Sequence, residues 1–456
     1  MMRRKNNFIM VLLLLFLATF VALFFYVYSS SFFEREAPVV HLPNKVDWNL
    51  KDPLKVKVED NRALRFVRAM LADGQNTITL DKKEITNGER TIELGITMPK
   101  TGFTANKKSF ELIVEAVDAS KWNFFSGNKT VQKTTVYIDT KRPEVSVLSN
   151  SYKIIRGGVA TVIFRAQDEN MKQLYIETSS GKRFYPTPFY GDNYYISLLA
   201  WPSIEEKFSA SVIAVDRAGN STKAHIPYFL QDKKYKASML QLKDAFLDGK
   251  IKEMVDDFGT PEIIKADKLE KFKFVNETLR KANETIISKM ASPVPTEKIT
   301  DFTIKPFYPL KNGAAVASFG DHRLYEYDKV PVSESYHVGI DLASTAQANI
   351  QVSSDGVIVY AQENGIYGGN MIISHGLGVY SLYGHCSTFL AKEGDTVKSG
   401  DVIAKTGVTG LALGDHLHFG ILVQGVEVRP EEWMDKSWLE DNIYGVIKAA
   451  KKIIDK

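Results

Sequence analysis

From Phe8 to Tyr28 the chain carries no charged residue and reads FIMVLLLLFLATFVALFFYVY, an unbroken apolar stretch of 21 residues. About 20 helical residues cross the ~30 Å hydrocarbon layer of a bilayer, and only a helix satisfies its own backbone there. Arg3, Arg4 and Lys5 precede the stretch. The positive-inside bias therefore predicts a short cytoplasmic tip, with roughly 420 residues on the far side of the membrane. A cleaved signal peptide is the competing reading. Its apolar core is usually ~7 to 15 residues long, and no clear small-x-small site comes after the stretch, so an uncleaved anchor over residues 1–36 is the expectation.

The chain as a whole has an ordinary globular composition, with 44% hydrophobic and 25% charged residues. At ~150 residues per domain, 456 residues make room for about three domains. Lys plus Arg (58) nearly balances Asp plus Glu (54), leaving a net charge of +4. Nucleic-acid binding, which needs a clustered basic surface, is not indicated. The single cysteine, Cys386, excludes an intramolecular disulfide framework and any cysteine-rich metal knuckle. An exported chain without paired cysteines points to a bacterial envelope, inserted in the inner membrane through residues 8–28 with its bulk in the periplasm.

Beyond the anchor, about 200 residues repeat. Phe110–Asp118 (FELIVEAVD) can be laid over Phe208–Asp216 (FSASVIAVD), and both copies alternate in polarity as half-buried strands do. Each copy comes after a proline-led strand, Pro38-Val-Val-His-Leu and Pro143-Glu-Val-Ser-Val-Leu. Asp216-Arg-Ala-Gly-Asn220 is a turn signal that resembles the closing turn of bacterial immunoglobulin-like modules. Two such β-sandwiches are expected, 37–141 and 142–230, serving as spacer or as a platform for an envelope protein partner. Apolar residues at three-to-four spacing from Met239 to Phe258 predict a helix over 236–258, stopped by Gly259. Thr260-Pro261-Glu262 opens a second helical stretch that runs to Met290 before Pro293 and Pro295, giving a helical connector over 231–299. Glycine-dense strands then occupy 300–435, and 436–456 reads as a short basic amphipathic helix packed on that domain. The expected fold class is thus mainly β.

Six of the eight histidines fall between positions 322 and 418. The informative pattern is His337-Val-Gly-Ile-Asp341, then His385, then His416-Leu-His418. Residues two apart on a strand share a face, so His416 and His418 aim together, as His337 and Asp341 can if their segment is extended. Two imidazoles and a carboxylate make a suitable Zn²⁺ donor set with a fourth position left for water. His375 is expected to make a structural hydrogen bond, and Cys386 to be a small buried hydrophobe facing away from His385.

Residues 337–430 resemble the lysostaphin/LytM-type zinc endopeptidases that cut peptidoglycan peptides. The resemblance is carried by His337-Val-Gly-Ile-Asp341-Leu-Ala, Asp355-Gly-Val, Ile373-Ser-His-Gly, Tyr383-Gly-His385, Gly394-Asp-Thr-Val-Lys-Ser-Gly400 and Thr409-Gly-Leu-Ala-Leu-Gly-Asp-His416-Leu-His418-Phe, in family order. It implies an antiparallel β core with a groove and one Zn²⁺ per chain on His337, Asp341 and His418. His385 and His416 would be the two catalytic histidines that do not bind metal, with Tyr383, Arg323 and Tyr367 touching substrate. Gly-Asp415-His stands where Gly-Pro-His is frequent, and Cys386 where Leu is common, which bears on loop shape and substrate preference rather than on the donor set. No His-Glu-x-x-His base is present. The implied activity is hydrolysis of a peptidoglycan cross-bridge or stem peptide. The alternatives are a non-catalytic relative that activates a cell-wall amidase, and an envelope scaffold built on the sandwiches. Because 236–290 and 320–335 immediately precede His337, they are expected to lie over the groove and restrain it.

Overall fold

The computed structural model describes residues 2–74, 76–98 and 108–456. The chain is mainly β and divides into two compact units, Met1–Arg142 with Val215–Asn220, and Pro143–Ala214 with Ser221–Lys456.

In the first unit the apolar segment is a helix, Met2–Ser29, whose Phe8–Ser29 portion is long and apolar enough to cross a membrane. Two sheets come next. One has three strands in the order Val39–His41, Leu54–Glu59, Thr91–Ile96. The other has five, in the order Lys45–Trp48, Lys129–Ile138, Ser109–Asp118, Leu64–Ala72, Thr77–Glu84. Their alternating apolar residues, Val56, Val58, Leu94 and Ile96 against Val67, Leu71, Leu112 and Val114, close one core. Each such fully buried aliphatic side chain contributes about 1.5 to 3 kcal/mol.

The second unit is held by a core that runs without a break from Ile154 to Ala450. Its central sheet carries, in order, Ala314–Ala317, Ile340–Ala343, Leu417–Val423, Val379–Cys386, Gly369–Ser374, Gly356–Glu363 and Thr396–Val397. Val379–Cys386 and Leu417–Val423 are buried along their whole length because both faces of this sheet are covered. On one face Tyr383, Phe419 and Ile421 join the main core. On the other, Tyr380, Leu382 and Leu422 meet Leu247, Met254, Phe272, Val275 and Ile287 of the helical segment. Double coverage explains why these strands read as nearly continuous apolar runs.

The connector differs from expectation at its start. Residues 236–243 are not helical: Ala237–Gln241 is a strand, parallel to His322–Glu326 in a three-stranded sheet completed by Val330–Tyr336. Met239, counted toward the helical stripe, is 57% exposed. Unsatisfied backbone along His322–Tyr327 recruited this segment, and pairing of that kind overrides a weak helical period. The helix begins at Asp244 and ends at Phe258. The stretch expected from 260 to 290 is broken: Pro261–Ile264 is a short helix that stops at Lys265, and Asp267, whose carboxylate accepts from the Leu269 and Glu270 amides, caps a further helical run from Lys268 to Met290. Both segments preceding His337 border the groove: Lys236, Ser238, Phe246 and Arg280 of the connector and Arg323 and Tyr325 of His322–Tyr327 line the same cavity, while the helices' apolar side chains back the sheet. The terminal helix Gly445–Ile454 buries Val446, Ile447 and Ala450 in the main core.

Candidate metal centre and groove

Three strands deliver the donor set. His337 comes directly after Val330–Tyr336, Asp341 lies in Ile340–Ala343, and His418 lies opposite Asp341 in the neighbouring strand. His337 Nε2 and His418 Nδ1 sit 3.0 and 2.9 Å from Asp341 Oδ1, and 3.1 Å from each other. One ligand atom from each residue lies within 4.8 Å of the others. His337 Nδ1–H donates to the Ser318 carbonyl at 2.9 Å, which fixes the ring and leaves the Nε2 lone pair facing the cluster. Burial alone would raise the Asp341 pKa, but the His337 and His418 rings against its carboxylate hold it well below the usual carboxylate range. Desolvation lowers His418 to about 4, against the opposing pull of Asp341, so it is a neutral imidazole at neutral pH. Two imidazole nitrogens and a carboxylate oxygen, buried and convergent, fit a tetrahedral Zn²⁺ with one position open.

His385 and His416 stand beside this cluster, their ring centroids 4.7 Å apart, and the His385 ring is 6.0 Å from that of His418. His416 Nε2 is 3.7 Å from Asp341 Oδ1. Each Nδ1–H donates to a carbonyl, His385 to Thr409 at 2.8 Å and His416 to Gly414 at 2.7 Å, so each Nε2 is the free basic atom. Desolvation, reinforced by repulsion from His418 and His416, lowers His385 to about 3.

His385 reaches the groove by breaking its strand's alternation. Its φ is +61°, in the left-handed region, which is uncommon for residues other than glycine and which Asn, Asp and His enter more readily than the rest. Regular strand alternation would put Tyr383 and His385 on one face and Cys386 on the other; instead Tyr383 and Cys386 both lie in the main core while His385 lines the groove. Tyr383 is therefore not brought to the groove, and its expected substrate contact has to be withdrawn. Its ring packs on Phe419 and its hydroxyl accepts from Ser381. His375 makes two structural hydrogen bonds, to the Asp355 carbonyl and the Ser381 hydroxyl, both at 2.8 Å.

The groove is a cavity of about 830 Å³ that takes in all five residues together with Arg323 and Tyr367. Arg323 Nη2 is 3.8 Å from Asp341 Oδ2, and the Tyr367 ring lies 5.5 Å from that of His418. Tyr367 is positioned by the connector: Asn283 accepts from the Ile366 amide at 3.0 Å. The connector, expected over the groove, forms its far wall, and the residues it contributes there, Lys236, Ser238, Phe246 and Arg280, were not singled out from the sequence. Arg280 was hidden among the many charges of its helix, and no local signal separates it from them.

Residues 335–430 match peptidase family M23. The DD-carboxypeptidase/endopeptidase Mpg of Neisseria meningitidis serogroup B is 40% identical over 94 residues, 21% of this chain and 22% of its own length. The peptidoglycan DD-endopeptidase ShyA of Vibrio cholerae is 32% identical over 119 residues, 26% of this chain and 27% of its own. The murein hydrolase activator NlpD of Salmonella typhimurium is 38% identical over 104 residues, 22% of this chain and 27% of its own. This chain thus spans only about a quarter of the length of these relatives. The family match covers the segment that carries His337, Asp341 and His418, and residues 335–430 form a peptidase family M23 domain.

Proposed function

We infer that the protein is a membrane-anchored zinc metalloendopeptidase that hydrolyses peptide bonds of peptidoglycan. The reading is carried by the convergence of His337, Asp341 and His418 with two further imidazoles whose Nε2 atoms are free. These three residues would hold Zn²⁺, which when bound supplies Lewis acidity and a hydroxide nucleophile near neutral pH. Asp341 supplies the negative charge of the donor set, and the Ser318 carbonyl keeps the His337 ring turned toward it. His416 and His385, tethered through Nδ1, can each accept a proton from water at Nε2 and return it to the leaving amine. Their imidazoles can also donate to the oxygen of the tetrahedral species. Arg323 and Tyr367, at the edges of the centre, are placed to meet the substrate chain. Phe8–Ser29 would anchor the chain in the inner membrane, with the peptidase domain in the periplasm.

The similarity to NlpD supports a second reading, a non-catalytic activator of another cell-wall hydrolase. The complete donor set argues for the first. Purified full-length protein should release muropeptides from sacculi, stop when chelated and recover with zinc, and the His418→Ala variant should release none. Zinc-loaded protein that cleaves neither sacculi nor cross-linked muropeptides would overturn the enzymatic reading, and mass spectrometry of the products would identify the bond.

A further inference from the structure

We propose that the loop Lys121–Gly127 is a second membrane contact, seated in the lipid interface beside the exit of the N-terminal helix. The proposal rests on the reading of Phe8–Ser29 as a membrane span. The loop links Ser109–Asp118 to Lys129–Ile138 and carries Trp122-Asn-Phe-Phe125. Phe124 is 98% exposed and Phe125 67%, whereas an ordinary soluble turn places polar residues in such positions.

These rings are held out by a built turn. Asn123, Phe124 and Phe125 have φ of 51°, 53° and 66°, three consecutive left-handed residues of types that rarely adopt that conformation in succession. Amides of Phe125, Ser126 and Gly127 donate to carbonyls of Lys121, Asn123 and Trp122 at 3.0 to 3.1 Å. Arg65 donates from its guanidinium to the Phe125 and Ser126 carbonyls. Gly127, at φ +82°, lies so close to Asp118 that an added Cβ would be 2.7 Å from its backbone oxygen. A strained turn fixed on all sides, presenting apolar rings to solvent, points to a function for the rings.

Its location names the partner. The Lys121 amide donates to the Phe32 carbonyl at 2.7 Å, and the Phe33 and Phe125 rings are 6.4 Å apart. The Arg35 guanidinium lies between two rings, 4.7 Å from Tyr28 at the end of the helix and 4.4 Å from Trp122 in the loop. Tyr26 and Tyr28 occupy the final turn of the span, where aromatic residues sit at headgroup depth. The loop is therefore tied to the level at which a bilayer surface would lie. Its Trp and Phe rings suit that interface, and Lys121, Arg35 and Arg65 around them suit lipid phosphates. Two attachment points in place of one would restrict swivelling of the first unit about the helix.

The test uses the full-length chain in vesicles of phosphatidylethanolamine and phosphatidylglycerol, with a polarity-sensitive fluorophore on Phe124→Cys and, independently, on Asn123→Cys. Native Cys386 is buried, and the unsubstituted chain supplies its labelling blank. Asn76→Cys, in the turn at the far end of the nine-residue strand Leu64–Ala72, is the aqueous control. The expected result is loss of most emission at 124 and 123 with doxyl-labelled lipid and little loss with iodide in the water, the reverse of position 76. Carbonate extraction is run in parallel. A chain that stays in the membrane while 123 and 124 are quenched by iodide alone overturns the proposal and leaves the span standing. A chain released by carbonate overturns the span, and the proposal with it.

Discussion

Gly339 sits between two of the proposed zinc ligands, and the effect of giving it a side chain can be worked out from the geometry. A Cβ at this position would lie 2.6 Å from His418 Cε1, 2.7 Å from His418 Nε2 and 2.7 Å from the Phe419 carbonyl oxygen. Ordinary contact begins at 3.4 Å, so the imidazole or the strand must retreat by about 0.8 Å. Gly339 has no left-handed backbone, so alanine is conformationally acceptable and the effect of Gly339→Ala is purely steric. Overpacking of this kind costs about 1 to 3 kcal/mol of stability. The consequence for turnover should be larger, because a misplacement approaching 1 Å at a reacting centre costs on the order of 100-fold in rate. The assay is muropeptide release per bound zinc, with zinc content and thermal melting measured on the same preparation. Gly249→Ala is the matched control: its Cβ would meet nothing within 4 Å, it is helical, and activity should be unchanged. A Gly339→Ala protein with full zinc content and undiminished turnover would refute the claim that His418 must hold this position against the strand of Asp341.

Neighbouring groups carry further expectations. Asp341→Ala and His418→Ala should each weaken zinc binding by more than ~100-fold, since even outer-shell partners cost 10- to 100-fold, and chelator competition would show it. Asn283→Ala removes the acceptor of the buried Ile366 amide, so melting should report a loss of about 1 to 3 kcal/mol, and rate should fall through displacement of Tyr367. Glu432, buried and accepting from the Val159 amide at 3.0 Å, has its pKa raised to about 7 by desolvation, although Arg429 lies 3.5 Å away and opposes the shift. Its folded-state pKa exceeds the unfolded value of 4.5, so the native state binds the extra proton. Stability is then full below pH 4.5 and falls as pH rises toward 7, by at most ~3 kcal/mol. Denaturant midpoints at pH 5 and 8 should show that slope and its flattening in Glu432→Gln; an unaltered slope would remove Glu432 as its source.

The features legible in the sequence were local or periodic. An apolar run of membrane length, polarity alternating every second residue, a proline opening a helix at 261, and histidines and an aspartate in a spaced order all leave their mark without knowledge of the partner. That His337, Asp341 and His418 converge was legible for the same reason, since strand geometry aims residues two apart together. The family resemblance supplied the expected split between ligands and free histidines, which spacing alone left open.

Tertiary structure decided the rest, because it depended on what each segment met. Residues 237–241 became a strand when His322–Glu326 offered a ladder, against their own apolar period. His385 entered the groove, and Tyr383 left it, through one left-handed residue that no side-chain pattern announces. The helices came to back the sheet as well as border the groove because Tyr380, Leu382 and Leu422 form an apolar face against which their apolar stripe packs, leaving Phe246 and Arg280 toward the site. The glycine at 339 could be read as a letter of a motif, whereas the reason for it, an imidazole from 79 residues away occupying the space of its missing side chain, exists only once the two strands lie side by side.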